Sequence, residues 1–259
     1  MKLQIIGDKL VTKIDVTPAE EEYLETFFWF LEYGSRHVKT NQIAEMMNVD
    51  PSTVTSMLQK LSRKELVEYT PYYGAKLTAK GEKFARQVVR KHRLSESFLE
   101  WLGVPWSKIH EEACKWEHVL TEEIAEMLER KIQPIKTPYG AFIPQKDGSL
   151  SIIPESKPLA LFEIGTKIEI VEILERAIAR HFPQVASLQD IYSELENKGL
   201  KPENKMKILS THTREDVIIE KWSLLYDLDM ILENERGKKI EVPYYLVNMI
   251  LAKEVEKRK

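Results

Sequence analysis

Thr40-Asn-Gln-Ile-Ala-Glu-Met-Met-Asn-Val-Asp-Pro-Ser-Thr-Val-Thr-Ser-Met-Leu-Gln-Lys-Leu-Ser62 decides the fold of the N-terminal part of the chain. Thr40 opens a short helical pattern that Asn48-Val49-Asp50 interrupts. Asp50 then caps, and Pro51 starts, a second helix, because an acidic side chain satisfies orphan amides and proline tolerates the first turn. Its apolar stripe is Val54, Met57, Leu58 and Leu61, at helical spacing. Downstream, Leu66–Thr70 and Ala75–Thr78 read as strands around the turn Pro71-Tyr-Tyr-Gly74. Upstream, Thr17, Pro18 and Glu20 form a helix start with a capping box. Tyr23, Leu24, Phe27, Phe28, Phe30 and Leu31 continue that helix, and Gly34 ends it. Helix, break, helix and hairpin in this order describe a winged helix-turn-helix.

The outer face of the second short helix carries Ser52, Thr53, Thr55, Ser56, Gln59 and Lys60. Short hydroxyls beside a helix N-terminus suit phosphate and base-edge contacts, and Lys76 in the hairpin suits a backbone phosphate. Residues 36–93 hold twelve Lys/Arg against five Asp/Glu, net +7, whereas residues 94–133 hold four against nine, net −5. A basic segment beside an acidic one fits a polyanion-binding module next to a cation-binding one, although two solvated faces of an ordinary domain produce the same count. There is no arginine placed for bidentate guanine contact, so double-stranded DNA would be read partly through its shape.

The acidic segment contains Ile109-His-Glu-Glu-Ala-Cys-Lys-Trp-Glu-His-Val119. On one continuous helix His110, Cys114, Glu117 and His118 fall within roughly 100° of arc. His92 and Glu96 stand four residues apart on the preceding long helix, which Thr78 caps and which runs to about Trp101. Taken singly, each has a bland reading: a lone cysteine is usually a small buried hydrophobe. Together they are a mixed O, N and S donor set at the edge of an apolar face, where a cation offsets buried carboxylates. Such a set disfavours magnesium and calcium, and without a CxxC it is a poor structural zinc site. Iron(II), manganese(II), cobalt(II) and nickel(II) stay open.

The remaining composition sets limits. The chain has 259 residues, a formal charge of −3 and one cysteine, so no internal disulfide is possible. The expected setting is a reducing cytoplasm, with no membrane span and no secretory signal. Prolines and glycines between Pro134 and Pro158 mark a loop-rich connection. Beyond it, Leu161–Ile173, Lys207–Ser210, Asp216–Glu220 and Ile240–Val242 read as strands, and Leu188–Leu195 as a helix before Gly199. The expected domains are a winged helix-turn-helix over 1–78, a helical metal-binding and dimerisation domain over 79–145, a linker over 146–160 and a small β-rich module over 161–259. The fold class is mainly α with β.

Three stretches carry a family resemblance: Val88-Val-Arg-Lys-His-Arg-Leu94, Ile109–His118 with its Cys-Lys-Trp-Glu-His block, and Pro138-Tyr-Gly-Ala-Phe-Ile-Pro144. Over residues 17–145 the chain resembles the diphtheria toxin repressor family of iron-dependent and manganese-transport regulators. The resemblance implies two metal sites per subunit. Glu22, Cys114, Glu117 and His118 match the primary set, and His92, Glu96 and His110 match the second. Glu22 replaces the methionine of iron-type members, while Cys114 is absent from manganese-type members, so the pattern is mixed and Fe(II) or Mn(II) is the implied ion. The C-terminal module resembles the SH3-like domain of longer members, and Gln189 and Asp190 fall near its further ligands. The implied function is a homodimeric, metal-dependent DNA-binding repressor of metal-ion homeostasis that is not an enzyme. The alternatives are a metal-independent winged-helix regulator and a metallohydrolase, and no HExxH or two-metal carboxylate pattern supports the latter.

Overall fold

Local sequence signals set most of the N-terminal elements. The computed structural model describes residues 2–6, 9–13, 16–32, 35–146, 156–174, 187–213 and 228–255. Strands β1 (Lys2–Ile6) and β2 (Lys9–Lys13) pair as an antiparallel hairpin that has no counterpart in the sequence reading. Helix α1 (Pro18–Glu32) begins at the expected capping box: Glu20 N donates to Thr17 Oγ1 at 3.4 Å, and Thr17 N to Glu20 Oε2 at 2.7 Å. Gly34, its expected end, lies outside the described residues. Helices α2 (Thr40–Met47) and α3 (Pro51–Arg63) flank the break, where Asn48 takes the left-handed conformation at φ 52°. Strands β3 (Val67–Thr70) and β4 (Gly74–Leu77) form the wing, in register from Val67 opposite Leu77 to Thr70 opposite Gly74. Ala75 also exchanges two 2.8 Å backbone hydrogen bonds with Val38. That approach requires glycine next door, since a Cβ on Gly74 (φ +111°) would lie 2.3 Å from Val38 O.

Helix α4 (Ala79–Trp101) starts with Gly81 N donating to Thr78 Oγ1 at 2.9 Å. Helices α5 (Trp106–Trp116) and α6 (Glu122–Ile132) follow, and Thr121 caps the second by accepting from Ile124 N at 3.3 Å. The chain then adds β5 (Lys157–Pro158), a 3-10 turn at Leu159–Leu161, β6 (Lys167–Ile173), α7 (Leu188–Lys198), β7 (Lys205–Thr213), β8 (Leu228–Asn234), β9 (Lys239–Val242), α8 (Tyr244–Val247) and β10 (Ile250–Glu254). Six of these strands make one antiparallel sheet in the order β5-β10-β6-β7-β8-β9. Of the expected C-terminal strands, 216–220 lies outside the described residues, as does most of the 146–160 linker. Among the described residues no helix is long and apolar enough to cross a membrane.

Two compact units divide the chain, one built on residues 1–91 and the other on residues 92–143 and 150–259. The first has its core in α1, α2, α3 and the wing, with Leu24, Ile43, Val54, Leu58, Leu61 and Leu66 fully buried. Glu20 is buried there too, within 2.7 Å of Lys64 Nζ and 3.3 Å of Lys60 Nζ, and so joins α1 to α3. Burial pushes its carboxyl up, but the Lys64 ammonium and the Thr17 cap hold it below its ordinary value.

The second unit packs the end of α4, α5 and α6 with the six-stranded sheet. Leu94, Leu120, Ala125 and Ile143 form one apolar cluster. Trp106, Tyr139 and Tyr192 form another, Tyr139 and Tyr192 with ring centroids 4.6 Å apart. The turn at residues 138–142 fastens the pieces: Trp106 Nε1 donates to Pro138 O at 3.1 Å, Arg93 Nη1 to Phe142 O at 2.6 Å, and Ile173 N to Tyr139 O at 2.7 Å. A side chain on Gly140 (φ +93°) would place its Cβ 2.1 Å from Val171 O.

Candidate metal centre and nucleic-acid interface

His92 and Glu96 sit one turn apart on α4, so their side chains share a face. His110 comes from the middle of α5, where its backbone N–H is taken by Tyr139 Oη at 3.1 Å. All three side chains are buried. Glu96 Oε1 accepts from His92 Nε2 at 3.0 Å and from His110 Nδ1 at 3.1 Å. The two imidazoles stand 5.1 Å apart between centroids at 64°. The other nitrogen of His92, Nδ1, meets Glu117 Oε2, and His110 Nε2 lies 3.7 Å from Cys114 Sγ. His118 Nε2 is 3.5 Å from Glu117 Oε1.

The sequence reading placed His110, Cys114, Glu117 and His118 on one helical stripe. The structure ends α5 at Trp116; Glu117 is its C-cap and His118 lies in the following turn. A turn is needed there because Thr121 starts α6 and Leu120 is drawn into the core. Glu22 lies half-buried on α1, with its carbonyl accepting from Thr26 Oγ1 at 2.9 Å. Gln189 and Asp190 lie in the first turn of α7, where Asp190 is occupied with the Ser187 cap. The α7 residue that reaches His110 is Tyr192, at 5.6 Å between rings, and no local pattern marks it.

Two buried carboxylates share the cluster with two imidazoles and a thiol. Burial pushes the Glu96 carboxyl up, and the His92 and His110 imidazoles hold it well below its ordinary value. Glu96 Oε2 and Glu117 Oε1 are buried without a hydrogen-bond partner among the described residues. Buried carboxylate oxygens left in this state are costly, and a divalent cation among N, O and S donors removes the cost. The residues therefore fit a transition-metal ion.

In the winged unit, Ser52, Thr53, Ser56 and Gln59 are exposed and Thr55 is half-buried. Thr55 Oγ1 and Ser56 Oγ donate back to Pro51 O and Ser52 O at 2.9 and 3.0 Å, bonds that a hydroxyl rotor easily exchanges. Lys60 is half-exposed and shares its ammonium with Glu20. Lys76 pairs with Glu68 across the wing at 2.8 Å. The sequence reading assigned no role to Tyr72 and Tyr73, which project from the wing tip with exposures of 102% and 73%. Their position in the Pro71–Gly74 turn was the available signal.

Comparison with known proteins points to one family. Residues 15–75 match the iron dependent repressor N-terminal DNA binding domain, and residues 78–145 match the iron dependent repressor metal binding and dimerisation domain. An uncharacterized HTH-type transcriptional regulator of Methanocaldococcus jannaschii is 41% identical over 117 residues, 45% of this chain and 94% of that one. The diphtheria toxin repressor of Corynebacterium diphtheriae is 30% identical over 169 residues, 62% of this chain and 74% of that one. A manganese-dependent transcriptional repressor solved in complex with manganese shares the fold, with a TM-score of 0.71 at 23% identity over 91% of this chain and all of that one. The chain belongs to the iron-dependent repressor family, the family of the diphtheria toxin repressor, whose members are metal-dependent DNA-binding transcriptional repressors.

Proposed function

We propose that this chain represses transcription of metal-ion homeostasis genes as a homodimer, and that Fe(II) or Mn(II) switches it to its DNA-binding state. The observation that carries this reading is the pair of buried carboxylate oxygens, Glu96 Oε2 and Glu117 Oε1, that have no hydrogen-bond partner among the described residues, within a set of histidine and cysteine donors. Glu22, Cys114, Glu117 and His118 would hold the activating ion, and His92, Glu96 and His110 a second. The ion supplies positive charge that ties carboxylate, imidazole and thiolate groups together. It shifts the equilibrium only as far as it binds the DNA-competent state more tightly.

The proposed domains are 1–78 for DNA binding, 79–145 for metal binding and dimerisation, a linker over 146–160, and the sheet-bearing module over 161–259. Ser52, Thr53, Thr55, Ser56, Gln59 and Lys60 face the duplex, with Tyr72 and Tyr73 added at the wing. Trp101, Leu102, Trp116, Val119, Ile124 and Met127 are exposed apolar side chains of residues 92–143 and suit the subunit contact. Two-fold symmetry would place half-sites about one helical turn apart.

The test is fluorescence anisotropy on DNA from this protein's own promoter region, comparing metal-free, Fe(II) and Mn(II) samples, with Glu117→Gln beside the wild type. Metal-dependent binding that Glu117→Gln loses is expected. Tight binding that survives a chelator would overturn the proposal and favour a metal-independent regulator.

A further inference from the structure

The first turn of α5 has no cap of its own. Its N-cap position is Pro105, which makes no side-chain cap bond, so the first amides of the helix need acceptors from elsewhere. Helix α7 supplies one. The half-buried Glu196 carboxylate accepts from the Ser107 hydroxyl and backbone N–H. A negative charge also suits this end of a helix, where the backbone dipole is positive. Lys201, just beyond α7, fixes Glu196 Oε1 at 2.8 Å and sets its ammonium 4.9 Å from the centre of the Trp106 ring. The Lys201 bond, joined by the Ser107 bonds, holds the Glu196 carboxyl below its ordinary value against its partial burial.

Tyr192 stands one turn before Glu196 and so shares its face of α7. Its ring centroid lies 5.6 Å from that of Trp106 and 5.6 Å from that of His110. A second hold comes from Tyr139, whose ring lies 4.6 Å from that of Tyr192. Tyr139 Oη donates to Trp106 O at 2.8 Å and accepts from His110 N at 3.1 Å, bracing two residues that are one helical turn apart. Its carbonyl in turn accepts from Ile173 N of β6 at 2.7 Å. Both holds on α5 are thus anchored in the sheet-bearing part of the chain, and all of these residues lie in one compact unit.

We propose that the C-terminal module is a positioning element for α5: Glu196, fixed by Lys201, caps the helix where Pro105 cannot, and Tyr192, with Tyr139, sets the turn that carries His110. Tyr192, Glu196 and Lys201 are not among the proposed ligands and act only through the helix they hold. The consequence for metal rests on the proposed function, in which His110 and Cys114 of α5 are donors. Loosening the first turn of α5 then weakens ion binding without removing a ligand, which gives the module a part in setting the metal response.

Hydrogen exchange of the metal-free, full-length protein tests the hold directly, in wild type, Glu196→Ala, Glu196→Gln and Lys201→Met. Peptides from Trp106–Trp116 should exchange about fivefold faster in Glu196→Ala, the change that loss of a helix cap produces, while peptides from Glu122–Ile132 keep the wild-type rate. Glu196→Gln still offers an oxygen to Ser107 and should restore most of the protection; Lys201→Met should fall between the two. Calorimetric titration with Mn(II) alone should show affinity falling in the same order. Unchanged exchange of Trp106–Trp116 in Glu196→Ala would overturn the inference, as would an equal rise over Glu122–Ile132, which marks general destabilisation. A loosened α5 that binds Mn(II) as tightly as wild type would overturn it too. A wild type that binds no Mn(II) counts against the proposed function instead, and the exchange comparison still decides whether the module holds α5.

Discussion

Replacing Glu20 by Gln removes one negative charge and leaves the length of the side chain and the Thr17 cap in place. The wild-type carboxylate accepts from Lys64 Nζ and Thr17 N at 2.7 Å each and lies 3.3 Å from Lys60 Nζ, while itself fully buried. Hydrogen bonds to charged groups contribute about 1.5–3 kcal/mol, and the side chains of Lys64 and Lys60 are 26% and 44% exposed, so solvent screening places the cost near the lower end, about 2 kcal/mol. Lys64→Met leaves the buried carboxylate to Lys60 and the Thr17 N–H and should cost about 1–2 kcal/mol, with about 1 kcal/mol of coupling between the two substitutions. Hydrogen exchange of peptides from Pro51–Arg63 reads this locally, and 2 kcal/mol corresponds to about 30-fold faster exchange in Glu20→Gln. The pH dependence gives a second reading. A carboxyl held below its ordinary value of 4.5 stabilises the fold fully above that value, and the contribution is lost as pH falls through the lower, folded value. The coupling should therefore shrink below pH 4.5. Additive substitutions, within about 0.3 kcal/mol at neutral pH, would refute the idea that Glu20 clamps α1 to α3.

Three further substitutions follow from the packing. Gly81→Ala would ordinarily stabilise a helix by up to about 1 kcal/mol, but its Cβ would lie 1.8 Å from Leu66 O, so a loss of at least about 2 kcal/mol is expected in urea denaturation. Tyr192→Ala empties the space between Trp106, Tyr139 and His110 and should cost about 3–5 kcal/mol, measured by exchange of peptides from Trp106–Trp116. Val119→Asp places a charge on a side chain that is 76% exposed; it should leave the fold of the monomer intact and shift sedimentation equilibrium from dimer toward monomer.

The winged helix-turn-helix was legible because its signals are local. Pro51 at the first turn announces α3, although Asp50 makes no side-chain cap bond there; Thr17 and Glu20 announce α1 and Thr78 announces α4, each within four residues of the group it satisfies. The donor residues were legible as residue types, and the i, i+4 pairing of His92 with Glu96 followed from helix geometry. Their partition was not. A stripe at 3.6-residue spacing runs on through Glu117 and His118 whether or not the helix does, and only the competing cap at Thr121 ends it. The Glu20–Lys64 contact joins residues 44 positions apart, and the packing of Tyr192 on His110 is longer in range still, so neither leaves a trace in periodicity or spacing. Lys60 shows the same limit from the other side: it reads as a surface cation on α3, yet its ammonium lies 3.3 Å from a buried carboxylate on another helix.

His92 has a consequence for how metal enters. Both of its ring nitrogens face carboxylate oxygens, Nε2 that of Glu96 and Nδ1 that of Glu117. A neutral imidazole has one N–H, and would set a lone pair against an acceptor at one of these contacts. Two protons across these contacts, carried by the imidazole and a carboxyl between them, satisfy the arrangement. A metal ion held by this histidine would take the place of one of these protons. Metal uptake at this histidine is then an exchange of a cation for a proton, and the affinity falls as pH is lowered. Calorimetry of Mn(II) binding in two buffers of different ionisation enthalpy measures the protons released. At least one per subunit is expected from His92, with any thiol proton from Cys114 in addition, and His92→Gln should lower the count by one. Buffer-independent heats in the wild type would show that His92 carries no exchangeable proton between Glu96 and Glu117, and the charge argument for the centre would fail with it.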